Sequence, residues 1–133
     1  MKILIVEDEE VLSLVLGEKF KNEGYEIMIA KDGEEAQPKA KKFKPDVILL
    51  DLILPKKGGL DILEDFKKDS ELKPIPVIVL SNLETDETIK KSLALGAIDY
   101  FVKTQHPIAE IVEKVNALFI EPKLGKPASG SKK

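Results

Sequence analysis

The 133-residue chain has no cysteine, and all 21 of its Lys/Arg positions are lysine. Without cysteine, disulfides and thiolate metal sites are excluded, which fits a reducing compartment, and a cytoplasmic location is the expectation. A surface of lysine and glutamate without arginine is found in heat-adapted proteins and is equally a product of genome base composition. No apolar run approaches the roughly 20 residues of a membrane span. The opening "MKILIVEDEE" turns acidic after Ile3–Val6 and so is not a signal peptide. A net charge of −3 gives no bulk attraction to nucleic acid, and no direct contact with it or with a membrane is expected.

What is present alternates. Short apolar, β-branched runs at 2–6, 25–30, 46–50, 76–80 and 99–102 read as strands. Longer segments with helical spacing lie between and after them, at 9–23, about 33–43, 59–69, 84–95 and 106–119. The spacing turns Leu12, Val15, Leu16 and Phe20 to one face of the first helix, with Gly24 as its C-terminal cap. It groups Leu60, Leu63 and Phe66 in the third, Ile89 and Leu93 in the fourth, and Ile108, Ile111, Val112, Val115 and Phe119 in the last. Five β-α units imply an α/β fold with a parallel sheet covered on both faces. Three strands are unbroken apolar runs, as doubly covered strands are. "YEIMIA" and "DYFV" carry polar residues and are the expected edges. Pro38 falls inside the second helix, which is expected to begin late, kink, or be the least stable. A domain over 1–120 is followed by a Pro-, Gly-, Ser- and Lys-containing stretch at 121–133, read as a flexible tail or linker stub.

"DVILLDLILP" (46–55) puts an acid, Asp51, where a buried run meets a loop, a costly place for an unpaired carboxylate. In a parallel sheet the C-terminal strand ends share one edge, about 4.8 Å apart between neighbours. Glu7 and Asp8 follow the first strand, Asp51 the third, Ser81 the fourth and Lys103 the fifth. Three clustered carboxylates repel unless a cation intervenes, and a hard oxygen site with room for waters and a phosphate suits Mg²⁺, with Mn²⁺ as an alternative. Lys103 supplies a fixed positive charge and Ser81 a hydroxyl donor. An aspartate so flanked is equipped to accept a phosphoryl group as a nucleophile. Singly, these residues also read as helix-start acids, a loop acid, a cap for a helix near Glu84, and a surface lysine; their joint occurrence at four strand ends carries the argument.

The stretches "ILIVEDE", "PDVILLDLILPKKGGLDIL", "PVIVLSN" and "GAIDYFVK" resemble the receiver domain of bacterial two-component response regulators, over about residues 1–120. The resemblance implies a CheY-like, flavodoxin-like (βα)5 sheet of order 2-1-3-4-5. It implies that Asp51 takes a phosphoryl group from a histidine kinase or histidine phosphotransfer protein, and that the chain catalyses only its own phosphoryl transfer and loss. Asp8 and Asp51 would bind Mg²⁺ directly with the backbone carbonyl of Ile53, and Glu7 through water. Lys103 would contact the phosphoryl group; Ser81 and Tyr100 would relay its arrival to the face of helix 4, strand 5 and helix 5. Pro55 and Gly59 match the loop after the phosphoacceptor. The output partner is unknown, and a phosphorylation-dependent dimer is one form the output could take. Thr104 stands where the family usually has proline, and Pro107 suits a helix start. Ile53 and Leu83 occupy positions that shape dephosphorylation in relatives, and being apolar they cannot orient water, so slow loss of the phosphoryl group is expected. His106, the single histidine, has no obvious metal partner and suits a surface or cap role.

Three other classes fit these residues less well. A haloacid-dehalogenase-type phosphatase needs a second acid two residues after its nucleophile, where this chain has Ile53. A flavin carrier needs a Ser/Thr/Gly-rich phosphate loop after the first strand, where this chain is acidic. A degenerate receiver serving only as a binding surface would not need Asp8, Asp51, Ser81 and Lys103 together.

Overall fold

The structure is a computed structural model that describes residues 1–82 and 85–119. Strands β1 (Lys2–Val6), β2 (Glu26–Ala30), β3 (Val47–Leu50), β4 (Val77–Ser81) and β5 (Asp99–Val102) form one parallel sheet of order β2-β1-β3-β4-β5. Helices α1 (Glu10–Asn22), α2 (Gly33–Phe43), α3 (Gly59–Lys68), α4 (Asp86–Ala94) and α5 (Ile108–Ala117) alternate with them. The two polar-marked strands, β2 and β5, are the edges, as expected. The expected tail at 121–133 and Leu83 lie outside the described residues.

The period-2 alternation of strand side chains divides the core in two. Leu4, Val6, Ile48, Leu50, Val77 and Val79 pack under α2 and α3 with Ile62, Leu63 and Phe66. Ile3, Ile5, Val47, Leu49, Ile78 and Leu80 pack under α1 and α5 with Leu16, Phe20, Ile111 and Val115. The central strands are buried on both faces, so apart from Lys2 at the start of β1 and Ser81 at the end of β4 they are apolar throughout.

Two helix faces differ from the expected ones. In α1 the buried residues are Ser13, Leu16, Gly17 and Phe20, and Val15 faces solvent. A Cβ on Gly17 would stand 2.8 Å from Ile27 Cδ1, so the small residues Ser13 and Gly17 let α1 lie close on the sheet and turn Val15 away. In α4 only Ser92 is buried and Leu93 is exposed, because the core beside it is already filled by Ala97 and the half-buried Leu95. The helix begins at Asp86, capped by Thr85 Oγ1, which accepts from the Thr88 N–H at 3.2 Å.

Helix α2 does not begin late. Asp32 Oδ1 accepts from the Glu34 and Glu35 N–H groups at 2.9 Å each, which fixes its first turn at Gly33, and the helix runs through Pro38. The ring of Pro38 removes one backbone donor from the interior of that helix. Gly24 follows α1 at φ +93°, in the left-handed region that suits glycine at such an end. The edge strands are blunted from within: Lys39 Nζ donates to the Ile29 carbonyl at 2.8 Å on β2, and Asp99 Oδ1 accepts from the Tyr100 N–H at 2.8 Å on β5.

Candidate functional site

The sheet order reverses direction between β1 and β3, and the crevice above that switch point is where open α/β sheets bind ligands. The acids stand there because the sheet ladders run one residue past the strands. The Glu7 N–H donates to the Ala30 carbonyl, the Asp51 N–H to Val6 and the Lys103 N–H to Ser81, each at 3.0 Å. Backbone pairing therefore fixes these three residues, and their side chains enter the crevice from rigid positions.

Lys103 Nζ lies 2.9 Å from Glu7 Oε1, 3.0 Å from Asp51 Oδ2 and 3.1 Å from Glu9 Oε2. Glu7 and Asp51 are 2% and 4% exposed. One ammonium thus faces three carboxylates, two of them taken out of water. Burial, reinforced by the charge of Asp51, pushes the Glu7 carboxyl up to about 7, against the lowering effect of Lys103 and the Glu9 N–H. Burial pulls Lys103 down, but its bonds to Glu7 and Asp51 prevail and raise it, so the ammonium is charged at any ordinary pH.

Glu7, exposed Asp8 and Asp51 each offer a carboxylate oxygen within 4.8 Å of the others. Hard oxygen donors converging on one centre, carrying more negative charge than one lysine balances, fit a divalent cation of the Mg²⁺ or Mn²⁺ type. The Ile53 N–H donates to Asp51 Oδ1 at 3.1 Å, folding the next peptides over that carboxylate, and the Ile53 side chain is 55% exposed at the mouth. Gly59 closes the loop: its N–H donates to the Leu52 carbonyl at 2.9 Å, and a Cβ there would collide with the Asp51 carbonyl oxygen and Leu52 Cα. The same loop is tied to the start of α2, where the Gly33 N–H donates to the Pro55 carbonyl at 3.2 Å and Lys56 Nζ lies 3.4 Å from Asp32 Oδ2.

Ser81 is fully buried at the last position of β4, opposite Val102. Tyr100 is half-buried on β5 and packs against the core under α2 and α3. After Lys103 the chain turns tightly: the Gln105 and His106 N–H groups donate to the Val102 carbonyl at 2.9 and 3.1 Å. His106 folds back on β5, with Nδ1 3.1 Å from the Val102 nitrogen and its ring edge-on to Phe101. That is a cap role. Every peptide bond among the described residues is trans.

Two features escaped the sequence reading. Glu9 reaches Lys103 across 94 positions of chain, which no local pattern signals. Val11, Leu14 and Val15 form an exposed apolar stripe on α1, with Val11 at 76% exposure. Its signal was available: α1 has apolar residues on more of its circumference than one buried face uses.

A sequence profile described as the response regulator receiver domain matches residues 3–116. The alkaline phosphatase synthesis transcriptional regulatory protein PhoP of Bacillus subtilis is 35% identical over 131 residues, covering 98% of this chain and 53% of that protein. The chain spans about half the length of the curated relatives it matches. Among solved structures, the Francisella response regulator 1452 receiver domain superposes with a TM-score of 0.81 at 31% identity, covering 88% of this chain and 94% of that one. The Mn²⁺-bound form of response regulator Rcp1 superposes with a TM-score of 0.78 at 30% identity, covering 96% and 99%.

Proposed function

The chain belongs to the response regulator receiver domain family, and on that premise we propose that Asp51 is its phosphoacceptor, charged by a histidine kinase or histidine phosphotransfer protein. The observation that carries the reading is the Glu7–Lys103–Asp51 cluster beside Asp8, a nucleophilic carboxylate paired with a fixed cation in a crevice open to solvent on one side.

The reaction needs positioning and charge neutralisation more than covalent chemistry. An Asp51 carboxylate oxygen attacks phosphorus as the donor's P–N bond breaks, and the bonding pair goes to the departing imidazole nitrogen, which takes a proton from solvent water. Lys103 holds Asp51 at 3.0 Å beforehand and can turn the same donor to a phosphoryl oxygen afterwards. Asp8, Asp51 and the Ile53 carbonyl would hold Mg²⁺ or Mn²⁺, with Glu7 reaching it through water. When bound, that ion neutralises charge developing on the transferred oxygens. Ser81, buried one strand away, donates its hydroxyl to the phosphoryl group, and Tyr100 follows it inward. The response is a shift between two existing forms, driven by those differential contacts.

The face of α4, β5 and α5 carries the output, through a partner or a second copy of the chain. Weak anchoring of α4, with Ser92 its one buried residue, supports this. The exposed Val11, Leu14 and Val15 of α1, together with exposed Ile53 after β3, supply an apolar surface for the phosphodonor. We read residues 1–120 as one receiver domain acting in the cytoplasm; no described helix is long and apolar enough to cross a membrane. The test is chemical trapping. Borohydride reduction of the phosphorylated chain converts an aspartyl phosphate to homoserine, and peptide mapping should find it at position 51. Homoserine elsewhere, or none in a chain that has gained a phosphoryl group, refutes the assignment.

A further inference from the structure

Glu9 is the N-cap of α1, yet its side chain makes no capping hydrogen bond. A side chain at that position ordinarily accepts from the free N–H groups of the first turn. Glu9 instead extends across the crevice to Lys103, tying the β1–α1 loop to the β5–α5 loop. Its own N–H donates to Glu7 Oε2 at 3.1 Å, which holds the backbone in place for that reach.

An ammonium has three N–H donors, and Lys103 meets three carboxylates at 2.9, 3.0 and 3.1 Å. Glu7 and Asp51 hold their donors from inside the protein. Glu9, with its side chain 60% exposed, holds Lys103 from the solvent side, the side from which a phosphodonor must come. An arriving phosphoryl group needs that lysine and carries charge of the same sign as Glu9.

We propose that Glu9 is a positioning residue that restrains Lys103 and opposes phosphoryl entry, so that its charge sets how readily Asp51 is phosphorylated. The inference rests on the reading of Asp51 as phosphoacceptor. The contact must loosen when Lys103 turns to the phosphoryl group, and Glu9 then lies free at the mouth. Because Glu9 is largely exposed, water screens the effect, and removal of its charge is worth about two- to fivefold in rate.

The experiment uses the full chain with excess Mg²⁺ and compares wild type, Glu9→Gln, Glu9→Ala and the neighbouring exposed control Glu10→Gln. Labelling rates are followed by intact mass with two small donors, acetyl phosphate and the less negatively charged phosphoramidate. Circular dichroism and thermal melting establish that each variant is folded. Both Glu9 variants should label about two- to fivefold faster than wild type with acetyl phosphate, and gain less with phosphoramidate. Glu10→Gln should match wild type. The inference is overturned if the Glu9 variants label at the wild-type rate or slower, if both donors gain equally, or if Glu10→Gln gains as much. A wild-type chain that takes no label from either donor sinks the assignment of Asp51 itself, and the inference with it.

Discussion

Stability should fall as pH rises from about 5 toward neutrality, and Glu7 should be the cause. Its carboxyl is pushed up to about 7 from an ordinary 4.5 by burial and by Asp51. Between those values the folded chain binds a proton at Glu7 that the unfolded chain has lost. The folded state therefore gains stability on acidification and loses it as pH rises from about 4.5 to about 7, the opposite of the usual carboxylate. Integrated between pH 5 and 8, this shift amounts to about 2–3 kcal/mol. The assay is urea unfolding followed by circular dichroism at several pH values in that range, with chelator present, for wild type and Glu7→Gln. Contributions of titrating groups that do not touch Glu7 are common to both proteins and cancel in the difference. Wild type should lose about 2–3 kcal/mol relative to the variant across the range, with most of the loss below pH 7. Mg²⁺ should stabilise wild type more at pH 8 than at pH 5, because the proton and the cation compete for the same carboxylates. Parallel pH profiles for the two proteins would show that Glu7 is not the strained acid described here.

Other expectations follow from single residues. Gly59→Ala should destabilise by about 1–3 kcal/mol and slow phosphorylation, since its Cβ would press on the Asp51 and Leu52 backbone, whereas Gly58→Ala, with open space around it, should be tolerated; urea midpoints and labelling rates compare them. Pro38→Ala should stabilise by about 1–3 kcal/mol by restoring a donor inside α2, and an unchanged midpoint would mean the helix already accommodates the ring. The phosphorylated chain should decay over minutes or longer, because exposed Ile53 cannot orient water at the mouth of the crevice. Ile53→Asn should shorten that lifetime several-fold, and a wild-type half-life of seconds would contradict the reasoning.

The sheet, and the meeting of Glu7, Asp8, Asp51 and Lys103 at its edge, could be read from the sequence for one reason. In a parallel sheet, strand order and strand ends decide which side chains meet; the ends are written in short apolar runs that stop at an acid, a serine or a lysine, and the order is what the family resemblance implies. Glu7, Asp51 and Lys103 are each the first residue past such a run and still bonded to the ladder. What escaped depended on shape. The inward face of α1 turns on Gly17 and Ser13, whose smallness matters only against Ile27 of a different element. Leu93 keeps its apolar character and yet faces out, because periodicity states which residues share a face and not whether the core has room for them. Of the three outcomes expected from Pro38 in α2, a late start, a kink or low stability, the late start does not occur, because the Asp32 cap fixes the beginning. The contact of Glu9 with Lys103 arises only when two loops, 94 positions apart, close over one crevice.

The most direct test of the central claim is the intact mass of the chain after incubation with acetyl phosphate, with and without Mg²⁺, for wild type and Asp51→Asn. One added phosphoryl group is expected on wild type, lost when Mg²⁺ is chelated and absent from Asp51→Asn. An unmodified wild-type mass under conditions that label another receiver domain, or equal labelling of Asp51→Asn, would contradict it.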